Sequence, residues 1–344
     1  MDLTQSPLSV NLLVFILASL GIIFSGTKLT LIADYLADRL GWGEALTGAI
    51  LLGATTSLAD LTVTMTAALQ GHPNLAISNA IGGIAAQTTF LAVADMFYRR
   101  ANLEHAAASL GNILFGVVVI ALLAGVMMTS YSPKWTVFGV HPMTPILFSA
   151  YFFSLHLQKT SHQKPMWKPR ETTETRQDVP NDQVKKKDLK KISFKFAILA
   201  ALLALSGWLI AESSLAIAAK TGLKETVMGG VFTAISTSTP ELVTTIIAVR
   251  HGALTLAVGN VLGGNAFDVM LAVLADLIYL DGSVYHAMSQ EELFLLSLAI
   301  IMTSVLVIGM LQREKYGFGN IGFESSLVIV LYLSGVGIML AGFG

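Results

Sequence analysis

The sequence predicts an all-α integral membrane protein with ten transmembrane helices, arranged as two inverted five-helix repeats. Three observations predict it. Of the 344 residues, 54% are hydrophobic and only 12% are charged, about half the charged share of an average soluble domain. Long stretches run without any charge, among them 11–23, 113–129 and 293–311, and about 20 apolar residues cross a bilayer core as a helix. Finally, residues 41–105 laid over 222–286, at a constant offset of 181 and without a gap, give 19 identities in 65 pairs. So biased a composition gives roughly 5 by chance.

The spans are taken in order. The first, 11–35, follows "MDLTQSPLSV", which lacks the basic region of a cleavable signal peptide, so it is expected to be retained. The second, 45–69, carries Thr56, Ser57 and Asp60. The third, 74–98, reads "SNAIGGIAAQTTF" from Ser78. The fourth, 106–129, holds a charge-free core, and the fifth, 140–157, is the shortest. The sixth to tenth are 195–219, 225–249, 254–279, 291–311 and 323–343. Ser25-Gly26 of the first span recurs as Ser206-Gly207 of the sixth. This divides the chain into a first repeat, 1–157, a basic linker, 158–194, containing "KKKDLKK", and a second repeat, 195–344. Five spans per repeat is an odd number, so the second repeat enters the membrane from the opposite face. That architecture is common among secondary transporters, with the substrate site at midplane between the halves.

Charge sets the expected orientation. The side reached after spans one, three, five, seven and nine holds Arg39, Arg99, Arg100, Arg250, Arg313 and Lys315, together with the linker's basic residues; the other side holds Lys134, Lys220 and Lys224. Cytoplasmic loops collect Lys and Arg. The linker is therefore placed in the cytoplasm and both termini outside a bacterial-type plasma membrane.

The chemistry lies in "STSTPELVTTIIAVRHG", residues 236–252. A carboxylate at membrane depth is costly and is by default functional. Thr237 and Ser238 precede Glu241 by four and three residues and share its helix face. Pro240 cannot donate to the carbonyl of Ser236, four residues back. One turn thus offers a carboxylate, hydroxyls and a freed carbonyl, an oxygen set suited to a hard cation. Thr56, Ser57 and Asp60 repeat that face in span two. Asn260, Gly264 and Asp268 form a stripe at i, i+4 and i+8 in "GNVLGGNAFDVM", as do Asn79, Gly83 and Gln87 in span three. The expected metal-binding set is Thr56, Ser57, Asp60, Gln87, Ser236, Thr237, Ser238, Glu241 and Asp268. Asp95 and Asp276, which recur by symmetry near span ends, are read as caps. His105 and His286 are read as structural, Asn79 and Asn260 as interhelical bonds, and Lys28 as either paired with an acid or snorkelling.

These motifs resemble the two α-repeats of the Ca2+/cation antiporter superfamily, the sodium/calcium exchangers. That family pairs a Thr-Ser-x-Pro-Glu helix with a Gly-Asn-x-x-Gly-Ser-Asn-x-x-Asp/Asn helix in each half. "TSTPEL" at 237–242 and "GNVLGGNAFD" at 259–268 match closely, "TSLADL" at 56–61 and "SNAIGGIAAQ" at 78–87 more loosely. The resemblance implies cation binding at Thr56, Ser57, Asp60, Gln87, Thr237, Ser238, Glu241 and Asp268. Here Asp60 stands for the family's glutamate, Ala59 for its proline, Gly83 and Gly264 for its serines, and Gln87 for its Asn or Asp.

The function expected is secondary-active antiport of Ca2+, or a similar cation, against Na+ or H+. A channel on the same fold and an organic-solute transporter are the alternatives. No enzyme is expected: cysteines are absent, no phosphate-binding loop appears, and no Ser–His pair lies at depth. No cofactor and no nucleic-acid partner are expected, only lipids and inorganic cations. The oligomeric state is left open.

Overall fold

The computed structural model describes residues 3–40, 53–98, 101–163, 169–170, 189–317 and 321–342. Its helices are α1 Leu8–Leu40, α2 Leu58–Leu69, α3 Pro73–Asp95, α4 Leu110–Ser130, α5 Met143–Gln163, α6 Leu189–Thr221, α7 Ala234–His251, α8 Leu254–Ile278, α9 Gln290–Gln312 and α10 Phe323–Gly342. Short helices Gly53–Thr56, Leu103–Ala107 and Val284–Ala287 join them, and α7 is preceded by Glu225–Val227 and a π-helical stretch, Met228–Thr233.

Eight stretches among the described residues are long and apolar enough to cross a membrane: α1, α3, α4, α6, the run from Glu225 to His251, α8, α9 and α10. The protein is therefore integral and multi-pass. Two expected spans fall outside that set. α2 has 12 residues, and 41–52, which the expected span 45–69 requires, lie outside the described residues. α5 is 21 residues long but ends in the polar run "QKTSHQ". That run also moves a boundary: α5 continues to Gln163 and α6 starts at Leu189, so both helices enter the expected 158–194 linker. Gln158, Lys159 and Gln163 of α5 and Leu189, Lys190 and Lys191 of α6 are good helix formers, and chain polarity alone does not stop a helix. Most of the linker itself, 164–168 and 171–188, lies outside the described residues.

The helix boundaries repeat at the offset of 181 even where identity is low. α1 Leu8–Leu40 answers to α6 Leu189–Thr221, and α3, starting at Pro73, answers to α8, starting at Leu254. The break in span two does not repeat at the equivalent position of the other half. Span two breaks at Ser57, without a proline, between Gly53–Thr56 and α2. In the other half the helix runs through Pro240, and the irregularity lies earlier, in the π stretch.

α3 and α8 form the centre and are buried on nearly every face. Lipid tails supply no hydrophobic drive between helices, so small residues that allow close approach do the packing. Gly82 passes so near Gly230 that a Cβ there would overlap the Gly230 carbonyl, and Gly229 lies as tightly on Ser78. α1, α2 and α6 form a cluster of their own around Ile22, Leu29, Val63, Leu203 and Ile210.

Two hydrogen-bonded latches, one at each end of the bundle, join the halves. At one end Asp95 accepts from Leu103 N–H (2.6 Å) and from Gly322 N–H (3.1 Å) at the start of α10, while His105 Nδ1 meets the Arg313 carbonyl at 2.7 Å. At the other, Asp276 accepts from Val284 N–H and Ser283 Oγ on one oxygen, and from His141 N–H and Thr144 Oγ1 at the start of α5 on the other. His286 Nε2 meets the Ser132 carbonyl at 2.9 Å. Each pair of partners differs by 181. The aspartates do cap, as expected, and they also tie one half to the other.

Replacing Gly82 by Val would drive a branched side chain into backbone. Overpacking of this kind costs about 1–3 kcal/mol, and thermal unfolding of Gly82→Val in detergent is expected to show a loss in that range or above it.

Candidate cation site

Four helices bring their polar stripes together where α3 and α8 cross between α2 and α7. Thr56, Ser57 and Asp60 of the broken second span are buried, as are Thr237, Ser238 and Glu241 of α7, Gln87 of α3 and Asp268 of α8. The ninth expected residue, Ser236, is only half-buried, and its hydroxyl bonds to the Phe232 carbonyl at 2.8 Å. Any contribution from Ser236 must therefore come from its backbone carbonyl.

The hydrogen bonds across the site run between halves. Thr237 Oγ1 donates to Asp60 Oδ1 at 2.7 Å, and the symmetry-equivalent Thr56 stands beside Glu241. Gln87 Nε2 donates to Asp268 Oδ2 at 2.7 Å, a bond between two positions that are each other's equivalents. Asn79 donates to Asp60 Oδ1 (3.2 Å) and to Thr64 Oγ1 (3.3 Å), the interhelical role expected of it. Asn265 donates to Thr88 Oγ1 at 3.0 Å, a bridge between α8 and α3 that the sequence motif did not reveal.

What is left over is all oxygen. Ser57 Oγ, Asp60 Oδ2, Gln87 Oε1, Ser238 Oγ, both oxygens of Glu241 and Asp268 Oδ1 are buried without a hydrogen-bond partner. A buried polar atom left unpaired costs about 1–3 kcal/mol, more when charged. Neither of the two ion pairs among the described residues, His72–Glu225 and Lys224–Glu291, touches these acids. Lys28 of α1 lies 3.9 Å from the Phe24 ring centroid.

Three of these six side chains also present an oxygen to Gly83. A Cβ built there would lie 3.4 Å from Asp268 Oδ2, 3.5 Å from Ser238 Oγ and 3.6 Å from Asp60 Oδ1. One point thus sees two acids and a hydroxyl drawn from three helices. Among the described residues no three His, Cys, Asp or Glu side chains meet closely enough to hold a metal by themselves. The set suits an ion that accepts hydroxyl, amide and backbone oxygens beside carboxylates, as Ca2+ and Na+ do. A Cys-ligated metal is excluded by the absence of cysteine in the sequence.

Three buried acids, Glu104, Glu292 and Glu324, were not singled out in the sequence. Glu104 and Glu324 sit at the ends of apolar runs, where a lone charge reads as interfacial, yet both are fully enclosed.

A protein-family model described as "Sodium/calcium exchanger protein" matches residues 10–159 and again 192–341. A putative antiporter, CaxA, of Alkalimonas amylolytica is 24% identical over 329 residues, covering 87% of this chain and 91% of that protein. Among solved structures, the sodium-calcium exchanger NCX_Mj superposes with a TM-score of 0.63 at 15% identity, over 96% of this chain and 99% of the other. The H+/Ca2+ exchanger CAX superposes with a TM-score of 0.69 at 14% identity, over 94% and 81%. These superpositions establish a shared fold.

A methyl group at Gly83 has ordinary clearance from all three oxygens, so Gly83→Ala is expected to fold. The methyl occupies the point on which they converge. Ligand at 100 times its dissociation constant stabilises a protein by about 2.7 kcal/mol, and Gly83→Ala should forfeit that Ca2+-dependent rise in Tm. An undiminished rise would place the ion elsewhere.

Proposed function

Because the chain belongs to the sodium/calcium exchanger protein family, within the Ca2+/cation antiporter superfamily, we propose that it exchanges Ca2+, or a cation like it, for Na+ or H+ by alternating access. The cation is held at midplane by Asp60, Glu241 and Asp268, helped by the side chains of Thr56, Ser57, Gln87, Thr237 and Ser238 and the Ser236 carbonyl. The single observation that carries this reading is the surplus of buried oxygens without donors on Ser57, Asp60, Gln87, Ser238, Glu241 and Asp268. Three carboxylates are neutralised by three Na+, by one Ca2+ together with one proton, or by three protons. That neutrality is what lets an occupied site turn from one side of the membrane to the other.

The architecture we propose is ten spans in two inverted five-helix repeats, 1–157 and 195–344, joined by a cytoplasmic linker with both termini outside. The double match to one family model and the constant offset of helix boundaries support the repeats. The hydroxyl of each half facing the acid of the other supports a site built jointly by both. Two near-equivalent halves can exchange inward and outward conformations, as alternating access requires.

Radiolabelled Ca2+ uptake into proteoliposomes tests the proposal. Uptake is expected under an imposed Na+ or pH gradient, and the effective gradient identifies the counter-ion. Uptake that needs no counter-ion on the far side would make the protein a leak. Glu241→Gln removes both charge and oxygen from the site. Loss of even an outer-shell metal partner costs about 10–100-fold, so this variant should lose at least about 100-fold in exchange while keeping the elution profile of the folded protein.

A further inference from the structure

The latch formed by Asp95 and α10 contains two more acids than its counterpart at the other end. Asp95, Glu104 and Glu324 are 0%, 1% and 0% exposed. Asp95 is provided for, since each of its oxygens takes a backbone N–H. Glu104 accepts from Ser325 Oγ on Oε1 at 3.0 Å, but its Oε2 has no partner, and neither oxygen of Glu324 has one. The Glu104 carboxyl faces both Asp95 and Glu324. Glu324 is seated between two glycines: side chains at Gly309 or Gly322 would collide with its stem and its carboxyl group.

The ion pairs among the described residues lie elsewhere, and none involves these three acids. On the far side of Leu103–Ala107 the Arg313 guanidinium donates to the carbonyls of His105 and Arg170, and His105 Nδ1 is held by the Arg313 carbonyl. The first turns of α8, tied to this region through Asn112, which bridges the Ala107 and Thr255 carbonyls, carry no titratable residue from Leu254 to Phe267. Three acceptor oxygens therefore lack a donor, on two carboxyl groups that face each other. No metal-holding convergence of acids occurs among the described residues. One O–H between the two carboxyls would pair two of these three oxygens.

The equivalent latch makes the contrast. There Asp276 takes four donors, Tyr285 stands where Glu104 stands, and Met143 stands where Glu324 stands. The acid pair is an addition to one end alone, the end that the linker touches through Arg170.

We propose that Glu104 and Glu324 form a proton-binding site, apart from the cation site, in which a single proton shared between the two carboxyl groups fastens α10 of the second repeat to helix Leu103–Ala107 of the first. Burial, with Asp95 and Glu324 adding to it, pushes the Glu104 carboxyl well above the usual carboxylate range. A carboxyl raised in the folded state contributes stability that is complete below its unfolded pKa and is lost as pH rises through the folded one. Loss of the proton sets two negative charges face to face and weakens the latch on one side of the membrane only.

The test uses the full chain in detergent and does not depend on transport. Tm is measured from about pH 6 to about pH 9 in the unaltered protein, in Glu104→Gln and in Glu324→Gln, whose amides cannot lose a proton. Tm of the unaltered protein should fall with rising pH, and either variant should remove about half of that fall or more. Infrared spectra should show a protonated-carboxyl band at neutral pH that is lost in Glu324→Gln and kept in Glu241→Gln. Should both amides fail to fold, Glu324→Met installs the residue of the equivalent position and is read in the same way. An unchanged pH slope together with an unchanged band overturns the proposal. So does a Ca2+-dependent rise in the Tm of Glu241→Gln that vanishes when Glu104 is also replaced, because the occupant would then be a metal ion.

Discussion

The structure depends on one constraint: three carboxylates are buried together in an apolar bundle with no basic side chain among the described residues paired to them. Enclosing a charge without a partner costs several kcal/mol even after relaxation. A fold that keeps three must either neutralise them from outside or hold them ready for something that does. The packing follows from this. Glycines at 82, 83, 229 and 230 let α3 and the stretch before α7 approach closely enough to bring acids from separate helices around one point. Hydroxyl residues supply neutral oxygen beside the charge. Asn79 and Gln87 orient two of the acids without discharging them.

Much of this was legible in the sequence, for a physical reason. A polar residue inside an apolar span has a high cost, so hydroxyls, amides and acids recurring at helical spacing stand out against Leu and Ala. The offset of 181 showed that the pattern occurs twice. The repeat of the outer helices was not legible, since a lipid-facing position needs only to be apolar and identity there decays while helix length persists, as in α1 and α6. Span two was also misleading: without a proline it reads as continuous, yet it breaks at Ser57. Pro240, the obvious breaker, sits inside an unbroken helix.

The latches show where reading a chain in one dimension ends. Asp95 and Asp276 could be read as caps because their N–H donors lie eight residues ahead. Their second partners, Gly322 and His141, are far away in sequence and become neighbours only when the two halves pack. Glu104 and Glu324 were invisible for the same reason, since each by itself is a single charge at the edge of an apolar run. Only the folded chain puts them face to face and encloses them.

The Gln87–Asp268 bond has a consequence for ancestry. If the chain arose by duplication of a gene for one repeat, the ancestral protein was an antiparallel homodimer, and this contact then joined a residue to its own copy. Two aspartates would have repelled, and two glutamines would have carried no charge. Only after fusion into one polypeptide could the copies diverge and become donor and acceptor, so covalent linkage opened a solution at the dyad that a symmetric assembly could not reach.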